Sequence, residues 1–299
     1  MNDDRPILIS GATGRQGGAT ARALLAAGVP VRALVRDTES QGARALRTAG
    51  AELAKGDLRD RRALEQACQG VRGVFSVQTP MDGGIDFQSE RDQGRNLVEA
   101  ALGAGVGQFV HTSASGVGSH HRAAPGWNEG RWSMVDYFES KAATQELVAK
   151  AGFEYWTLVK PPTFMDHAFF QRSAVVDSEI VTAFAPETEL PLIAPNDIGL
   201  AAAAAFMDPS RFNQVELELA GDVLTVGAIA DVLSQIWGER VVSRSLTPDQ
   251  AKAAGLPEPV VEAQEWLNIV GSPARPAQAR SMGLSPIDFR TWATQHYAE

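Results

Sequence analysis

The stretch ILISGATGRQGG, residues 7–18, joins a short apolar segment to a glycine-rich turn and then to a helical pattern. Gly11 allows a tight turn after a strand, and Gly14 allows the backbone to come close to a bound group. Gly17 allows the next helix to pack on the strand with its N-terminal amides directed at an anion. The stretch therefore predicts a strand, a phosphate-binding loop and a helix, with a purely structural turn as the alternative.

Strand-like and helix-like segments alternate from this loop to about residue 160. The predicted strands are Pro6–Ser10, Val31–Val35, Glu52–Ala54, Gly73–Val77, Gln108–Thr112 and Tyr155–Val159. The predicted helices are Gly17–Ala27, Gln41–Ala49, Arg61–Cys68, Gln88–Ala104 and Met134–Ala151. This alternation is typical of βαβ units, so we expect an α/β protein with a doubly wound parallel sheet, a Rossmann fold.

The alternation ends at Pro161-Pro162, and a mixture of loops, helices and short strands follows. The helices predicted there are Asn196–Met207, Val226–Trp237, Pro257–Val270 and Pro286–His296, and the strands are Val215–Leu219 and Val241–Ser245. We expect two domains: a nucleotide-binding domain at residues 1–160 and a smaller C-terminal α+β substrate lobe at residues 161–299. This lobe can add a strand to the main sheet.

Composition excludes several classes of protein. The chain has 299 residues, 44% of them hydrophobic, and a formal net charge of −9, which argues against a disordered chain and against a nucleic-acid partner. Cys68 is the only cysteine, so neither an internal disulfide nor a cysteine zinc site is expected. The longest apolar stretch, Ile198–Met207, is too short to span a membrane, and the N-terminus lacks a signal-peptide pattern. A soluble, cytoplasmic protein is the expectation.

The residue after the second predicted strand indicates which dinucleotide would bind. NAD sites usually carry an acidic side chain there for the ribose hydroxyls, whereas this chain has Arg36. A guanidinium can make a forked contact to a 2′-phosphate, and Arg15 in the glycine loop adds a second positive charge. The pattern favours NADP (NADPH) over NAD. Arg36 as a solvated surface arginine, and Asp37 as a ribose ligand, remain alternatives.

Tyr137 and Lys141 stand four residues apart in a predicted helix, so their side chains share one face. An ammonium beside a phenol makes proton transfer from the phenol easier, which complements hydride transfer to a carbonyl carbon. A surface pair without chemistry is the alternative. The neighbouring histidines His120 and His121 have no cysteine or carboxylate cluster nearby in the sequence, and we expect no metal.

Several motifs follow one another in a characteristic order: GATGxxG at 11–17, Gly56-Asp57-Leu58, Val77-Gln78-Thr79-Pro80, Lys141, Pro161-Pro162-Thr163-Phe164 and PNDIG at 195–199. Their order resembles that of the NmrA-like subgroup of the atypical short-chain dehydrogenase/reductase superfamily. Together with the residue patterns above, the resemblance implies a cofactor site. Its predicted members are Gly11, Thr13, Gly14, Arg15, Gln16, Gly17, Arg36, Asp57, Leu58, Gln78, Thr79, Pro80, Lys141, Pro162 and Phe164. An Asp57 that merely caps a helix is the alternative for that residue.

The resemblance also implies the reaction. Ser113, with Ser115 as the alternative, orients the substrate oxygen, Tyr137 protonates it, and Lys141 holds the nicotinamide ribose. NADPH then reduces a small, largely apolar carbonyl, quinone-like or other electrophilic substrate. One alternative is a sensor that binds NADP(H) without turnover and contacts a protein partner, and another is an epimerase or dehydratase with a bound cofactor. The oligomeric state stays open.

Aromatic and apolar residues of the second half suggest an apolar pocket for a flat substrate, with ordinary core packing as the alternative. The candidates are Trp127, Trp132, Phe164, Met165, Phe169, Phe170 and Trp266.

Overall fold

A computed structural model describes residues 4–78 and 85–297. The strands are β1 (Ile7–Ile9), β2 (Val31–Val35), β3 (Glu52–Lys55), β4 (Gly73–Ser76), β5 (Gln108–Thr112), β6 (Tyr155–Lys160), β7 (Thr163–Phe164), β8 (Glu179–Thr182), β9 (Leu190–Ile193), β10 (Val215–Glu218), β11 (Asp222–Leu224) and β12 (Val242–Ser245). The helices are α1 (Arg15–Ala26), α2 (Gln41–Thr48), α3 (Arg61–Cys68), α4 (Phe87–Gly103), α5 (Ser119–Arg122), α6 (Val135–Lys150), α7 (Pro195–Met207), α8 (Pro209–Phe212), α9 (Val226–Trp237), α10 (Pro248–Ala253), α11 (Glu258–Ile269), α12 (Pro276–Ser281) and α13 (Phe289–Tyr297). Two 3₁₀ turns, Ala168–Phe170 and Arg172–Ala174, follow β7.

The main sheet has the strand order β10-β6-β5-β4-β1-β2-β3. All neighbouring strands from β6 to β3 pair in parallel. The chain winds outward from β1 in one direction and from β4 in the other, which opens a crevice at the carboxyl ends of these two strands. The doubly wound parallel sheet predicted from the sequence is confirmed.

Helices cover the sheet because its strands are apolar on both faces. The residues Ile7, Leu8 and Ile9 of β1 are fully buried. Helix α3 begins where the sequence predicts it, since the Asp60 carboxylate accepts a hydrogen bond from the Ala63 amide at 3.0 Å. None of the helices within the described ranges is long and apolar enough to cross a membrane.

The chain divides into two compact units that do not follow a single boundary in the sequence. Unit 1 consists of Met1–Ala114, Glu139–Lys160 and Pro195–Leu217, and unit 2 consists of Ser115–Phe138, Pro161–Ala194 and Glu218–Glu299. The predicted division at residue 160 therefore differs from the observed one. The reason is packing: α7 lies along α1, and β10 extends the main sheet beside β6.

The contact between α7 and α1 is close enough to require a glycine. A Cβ atom on Gly199 would lie 2.4 Å from the backbone carbon of Ala19. The same helix also covers the strand β4, where a Cβ on Gly73 would lie 2.9 Å from the ring of Phe206. Helix α7 is thus part of the core of unit 1, although the unit 2 segment Pro161–Ala194 directly precedes it in the chain.

Unit 2 has a mixed architecture of its own. Its two small sheets have the orders β11-β9-β7 and β12-β8. The side chains of Met165, Phe170, Leu192, Phe289 and Trp292 are among those of its buried core. The helices predicted in this region are present, but β7, β8, β9 and β11 are not predicted by the sequence, since each is only two to four residues long.

Candidate functional site

The glycine loop of unit 1 brings the start of α1 to the end of β1. Gly11 has a φ of +58°, and its carbonyl accepts a hydrogen bond from the Gly14 amide at 2.8 Å. A Cβ on Gly17 would lie 2.3 Å from the Gly11 oxygen, so only glycine fits there. Gly14 occupies the N-cap of α1 and offers no side chain to the helix amides. These amides can therefore bind an anionic ligand, and the exposed Arg15 stands beside them.

Gln16 is held by the neighbouring part of the sheet. The Thr112 hydroxyl, at the end of β5, donates a hydrogen bond to Gln16 Oε1 at 2.6 Å. This contact fixes which end of the amide is the acceptor and leaves Nε2 as the donor end. Thr13 lies in the same loop, exposed, and next to α2, where a Cβ on Gly42 would be 3.1 Å from Thr13 Cγ2.

Arg36 and Asp57 follow the parallel strands β2 and β3. The Asp57 carboxylate accepts hydrogen bonds from Arg59 Nε at 3.0 Å and from Arg59 Nη2 at 3.2 Å. These bonds hold the pKa of Asp57 below its usual range, and the positive charge of Arg36 contributes a smaller part. The exposed Arg36 thus lies near a carboxylate whose charge is largely compensated. The N-cap of α3 is Asp60 and not Asp57, and Arg59 is a member of this cluster that the sequence analysis did not single out.

Leu58 is fixed between the sheet and a helix. Its carbonyl accepts a hydrogen bond from Asn96 Nδ2 at 3.1 Å, and its side chain packs against the apolar core of unit 1. The next strand end carries Gln78, whose Nε2 donates to Ser76 Oγ at 2.8 Å. The predicted residues Thr79 and Pro80 lie outside the described residues.

A buried histidine continues this chain of polar groups. His111 Nδ1 lies 3.2 Å from Ser76 Oγ. Burial, together with the positive charge of Lys141, lowers the pKa of His111 to about 3. The imidazole is therefore neutral at ordinary pH, and it can exchange hydrogen bonds but adds no charge to the site.

Lys141 lies near His111 and is bound by a carboxylate. Its Nζ is 2.9 Å from Glu90 Oε1, and the Ser140 hydroxyl donates to Glu90 Oε2. Glu90 belongs to the first turn of α4, and the sequence analysis missed it. One signal was present: Glu90 shares the buried face of that helix with Leu97 and Ala101, where a charged residue needs a buried partner.

The predicted catalytic residues occupy different surroundings. Ser113 is buried in unit 1, and its Oγ accepts a hydrogen bond from Gln145 Nε2 at 2.6 Å. Tyr137 is half-buried near the start of α6, the same helix that carries Lys141. The alternative serine, Ser115, belongs to unit 2 and donates to Glu218 Oε2 at 2.6 Å. Their roles in catalysis stay predictions.

The predicted residues after β6 lie in unit 2. Pro162 and Phe164 are half-buried, and Phe164 belongs to β7, where it pairs with Ile193 of β9. The aromatic residues of this unit pack largely on one another: the Trp266 ring contacts those of Trp127 and Trp132, with centroids 5.6 and 5.1 Å apart. Those three tryptophans are buried, as are Met165 and Phe170. Their part in a substrate pocket stays a prediction.

Metal and thiol chemistry find little support in the described part of the chain. No group of three or more His, Cys, Asp or Glu residues that could hold a metal ion occurs in it. Burial raises the pKa of the Cys68 thiol to about 12, so this thiol stays protonated and inert. His121 is buried and accepts a hydrogen bond at Nδ1 from the Gly118 amide, 2.8 Å away.

The chain is similar to several proteins of known activity or structure. The NAD(P)H azoreductase of Xenophilus azovorans is 31% identical over 271 residues, which cover 89% of this chain and 87% of that protein. The structure of the NADPH-dependent quinone oxidoreductase of Escherichia coli, complexed with NADPH, is similar with a TM-score of 0.77 at 21% identity, covering 97% of this chain and 99% of the other.

The structure of NmrA, a negative transcriptional regulator in complex with NADP, is similar with a TM-score of 0.78 at 20% identity, covering 98% of this chain and 96% of the other. Both structural likenesses concern the fold. Residues 3–271 of this chain match the model of the NmrA-like family. This chain is therefore a member of the NmrA-like family.

Proposed function

We propose that this protein is an NADPH-dependent reductase of small, largely apolar carbonyl, quinone-like or other electrophilic compounds. The observation that carries the proposal is the glycine loop, where the amides of α1 have no side-chain cap and Arg15 is exposed at the start of the helix. Arg36 directly follows β2, the parallel neighbour of β1. The names of an azoreductase relative and of a structurally similar quinone oxidoreductase support a reductase.

The preference for NADPH over NADH follows from charge. A carboxylate after β2 or β3 would repel a 2′-phosphate. After β3, Asp57 is paired with Arg59 on both oxygens, and after β2, Asp37 accepts a hydrogen bond from the Glu39 amide at 2.8 Å. Arg36 then supplies a guanidinium for that phosphate, as a forked and charge-assisted contact. Arg36 and Arg59 lie in unit 1, which also contains the glycine loop.

Bound NADPH would supply the hydride that reduces the substrate. Residues of this chain would donate a proton to the substrate oxygen and orient that oxygen. In this proposal Lys141 binds the nicotinamide ribose, Tyr137 gives a proton to the oxygen that gains charge, and Ser113 orients that oxygen. Because Ser113 Oγ accepts its bond from Gln145, the serine hydroxyl proton remains available as a donor.

A regulator that binds NADP(H) without turnover is the second candidate. The likeness to NmrA in complex with NADP favours it, since that protein is a transcriptional regulator. Lys141 would serve the cofactor ribose in either case. The two candidates differ in whether Tyr137 takes part in any chemistry.

The test is a direct assay of binding and turnover. We expect NADPH to raise the melting temperature more than NADH does, and we expect NADPH oxidation in the presence of a quinone, an azo dye or an aromatic aldehyde. Binding of NADPH without turnover of any of these compounds would favour the regulator. Failure to bind either dinucleotide would contradict both candidates.

Arg36→Ala tests the cofactor preference. We expect NADPH affinity to fall about tenfold, because a charge-assisted hydrogen bond to the phosphate is lost, whereas NADH affinity stays within about twofold. Isothermal titration with each dinucleotide measures both. The matched control is Arg95→Ala, an exposed arginine of α4 that pairs with Asp92. An unchanged ratio of the two affinities in Arg36→Ala would remove this residue from the phosphate site.

A further inference from the structure

The buried carboxylate of Glu90 takes no part in the proposed reaction, but it contacts Lys141, which is assigned a role there. Glu90 Oε1 lies 2.9 Å from Lys141 Nζ, and Glu90 Oε2 accepts the hydroxyl of Ser140, the residue before that lysine. Two successive residues of α6 are therefore bound to one side chain of α4. An ammonium on a flexible four-carbon stem gains a fixed position in this way.

The two members of the pair differ in their access to solvent. The Lys141 side chain is 13% exposed, whereas that of Glu90 is 3% exposed. A ligand at the carboxyl edge of the sheet can therefore reach the ammonium more readily than the carboxylate. Since an ammonium has three N–H donors and Glu90 accepts one of them, the pairing is compatible with further bonds from Lys141 to a bound molecule.

The position of the pair in the fold agrees with a ligand site. Glu90 lies in the first turn of the helix that follows β4, and helix N-termini of a parallel α/β sheet stand at the carboxyl ends of the strands. Lys141 lies close enough to His111, near the end of β5, to lower its pKa. Burial and this charge keep His111 neutral, and Glu90 is the carboxylate that balances the lysine charge.

We propose that Glu90 is a positioning residue of the cofactor site, which holds the Lys141 ammonium in place for the ribose hydroxyls on the nicotinamide side of NADPH. This inference rests on the proposed function, in which Lys141 is the ribose ligand. A purely structural role is the weaker explanation. A buried ion pair adds little stability compared with an apolar pair of the same size, so stability alone gives little reason to bury a carboxylate here.

Two ligands distinguish a displaced Lys141 ammonium from damage to the whole cofactor site. NADPH carries the nicotinamide ribose, whereas adenosine 2′,5′-bisphosphate carries only the adenine half with its 2′-phosphate. In Glu90→Gln we expect the dissociation constant of NADPH to rise about tenfold or more, because the ammonium loses its charged partner and its fixed position. The affinity for adenosine 2′,5′-bisphosphate should stay within about twofold. Isothermal titration measures both, and in a turnover assay the KM for NADPH should rise more than kcat falls.

The matched control is Glu99→Gln. This glutamate belongs to the same helix but is exposed and pairs with Arg61, so its substitution should change neither affinity. Equal weakening of both ligands in Glu90→Gln, or no change in NADPH binding, would overturn the inference. If wild-type protein did not bind NADPH at all, the proposed function would fall as well, and the two failures are thereby distinguished.

Glu90→Asp provides a second variant in case the glutamine variant does not fold. Aspartate keeps the charge but is one methylene shorter, so it displaces the ammonium without leaving it unpaired. We expect a smaller loss of NADPH affinity than in Glu90→Gln, again with unchanged binding of adenosine 2′,5′-bisphosphate. An aspartate variant that binds NADPH as wild type does, or that weakens both ligands equally, would also overturn the inference.

Discussion

Tyr137 is the residue that distinguishes a reductase from a regulator. Its phenol is half-buried on the helix that carries Lys141, and it is the proposed proton donor. If it protonates the substrate oxygen, Tyr137→Phe removes the proton and should lower kcat by about 10²- to 10⁴-fold. NADPH affinity should stay within a few-fold, since the phenol contributes to the chemical step. Steady-state kinetics and cofactor titration of the same preparation measure the two effects.

Tyr155→Phe is the matched control for this substitution. Tyr155 is also half-buried but stands at the first residue of β6, the amino end of a strand, where ligands of such sheets do not bind. Its substitution should leave turnover unchanged. If Tyr137→Phe turned over substrate at the rate of the wild type, Tyr137 would have no part in the mechanism.

His111 gives the stability of the protein a predictable dependence on pH. Burial first, and then the charge of Lys141, lower its pKa to about 3 in the folded chain, against an ordinary value of 6.5. Between these values the unfolded chain binds a proton that the folded chain does not. This residue therefore removes stability as the pH falls from about 6.5, by at most about 1.4 kcal/mol per pH unit.

We expect His111→Gln to make the free energy of unfolding decrease less steeply between about pH 6.5 and 4.5 than it does in the wild type. Urea denaturation at several pH values measures the two slopes. Equal slopes in His111→Gln and the wild type would mean that the imidazole is not held neutral.

The crossing of α1 and α7 connects the stability of unit 1 with the cofactor loop. Because a Cβ on Gly199 would meet backbone atoms of Ala19, which cannot turn aside, Gly199→Ala must separate the two helices. We expect a loss of about 1–3 kcal/mol in the free energy of unfolding. NADPH affinity should fall too, since α1 starts directly after the glycine loop. Thermal unfolding and titration measure the two losses.

Gly103→Ala is the control, because we do not expect it to lower the free energy of unfolding. Gly103 is the last residue of α4, and no described atom lies within 4 Å of the place where its Cβ would be. Alanine there restricts the unfolded chain without creating a clash, so we expect an unchanged or slightly higher stability, by up to about 1 kcal/mol. A similar effect of both substitutions would contradict the role assigned to the helix crossing.

The elements that the sequence predicts well are those with a strong local pattern. The helices α2 and α3 and the strands β2 and β5 occupy almost the predicted residues, because an apolar period and a turn residue mark each of them. Strand β9 carries no such mark, since it contains Pro191 and is only four residues long.

Contacts between distant segments could not be predicted in the same way. The glycine loop and Lys141 are visible as motifs, whereas the contact of Glu90 with Lys141 forms only when α4 and α6 lie side by side. The place of α7 in unit 1 is another example. Its sequence predicts a helix, but the small residues that let it approach α1 do not indicate which partner it packs against.

The division of the molecule into two interleaved units predicts how fragments behave. A fragment of residues 1–160 contains the whole predicted nucleotide-binding domain but lacks α7, whose Phe206 is buried against Gly73 in unit 1. It also leaves Ser115–Phe138 without the rest of unit 2. The absence of α7 and of the rest of unit 2 exposes apolar surface in this fragment. We therefore expect it to show no cooperative thermal transition by circular dichroism and no stabilisation by NADPH, in contrast to the full chain. A fragment 1–160 that unfolds cooperatively and binds NADPH would show that residues 195–217 are dispensable for unit 1.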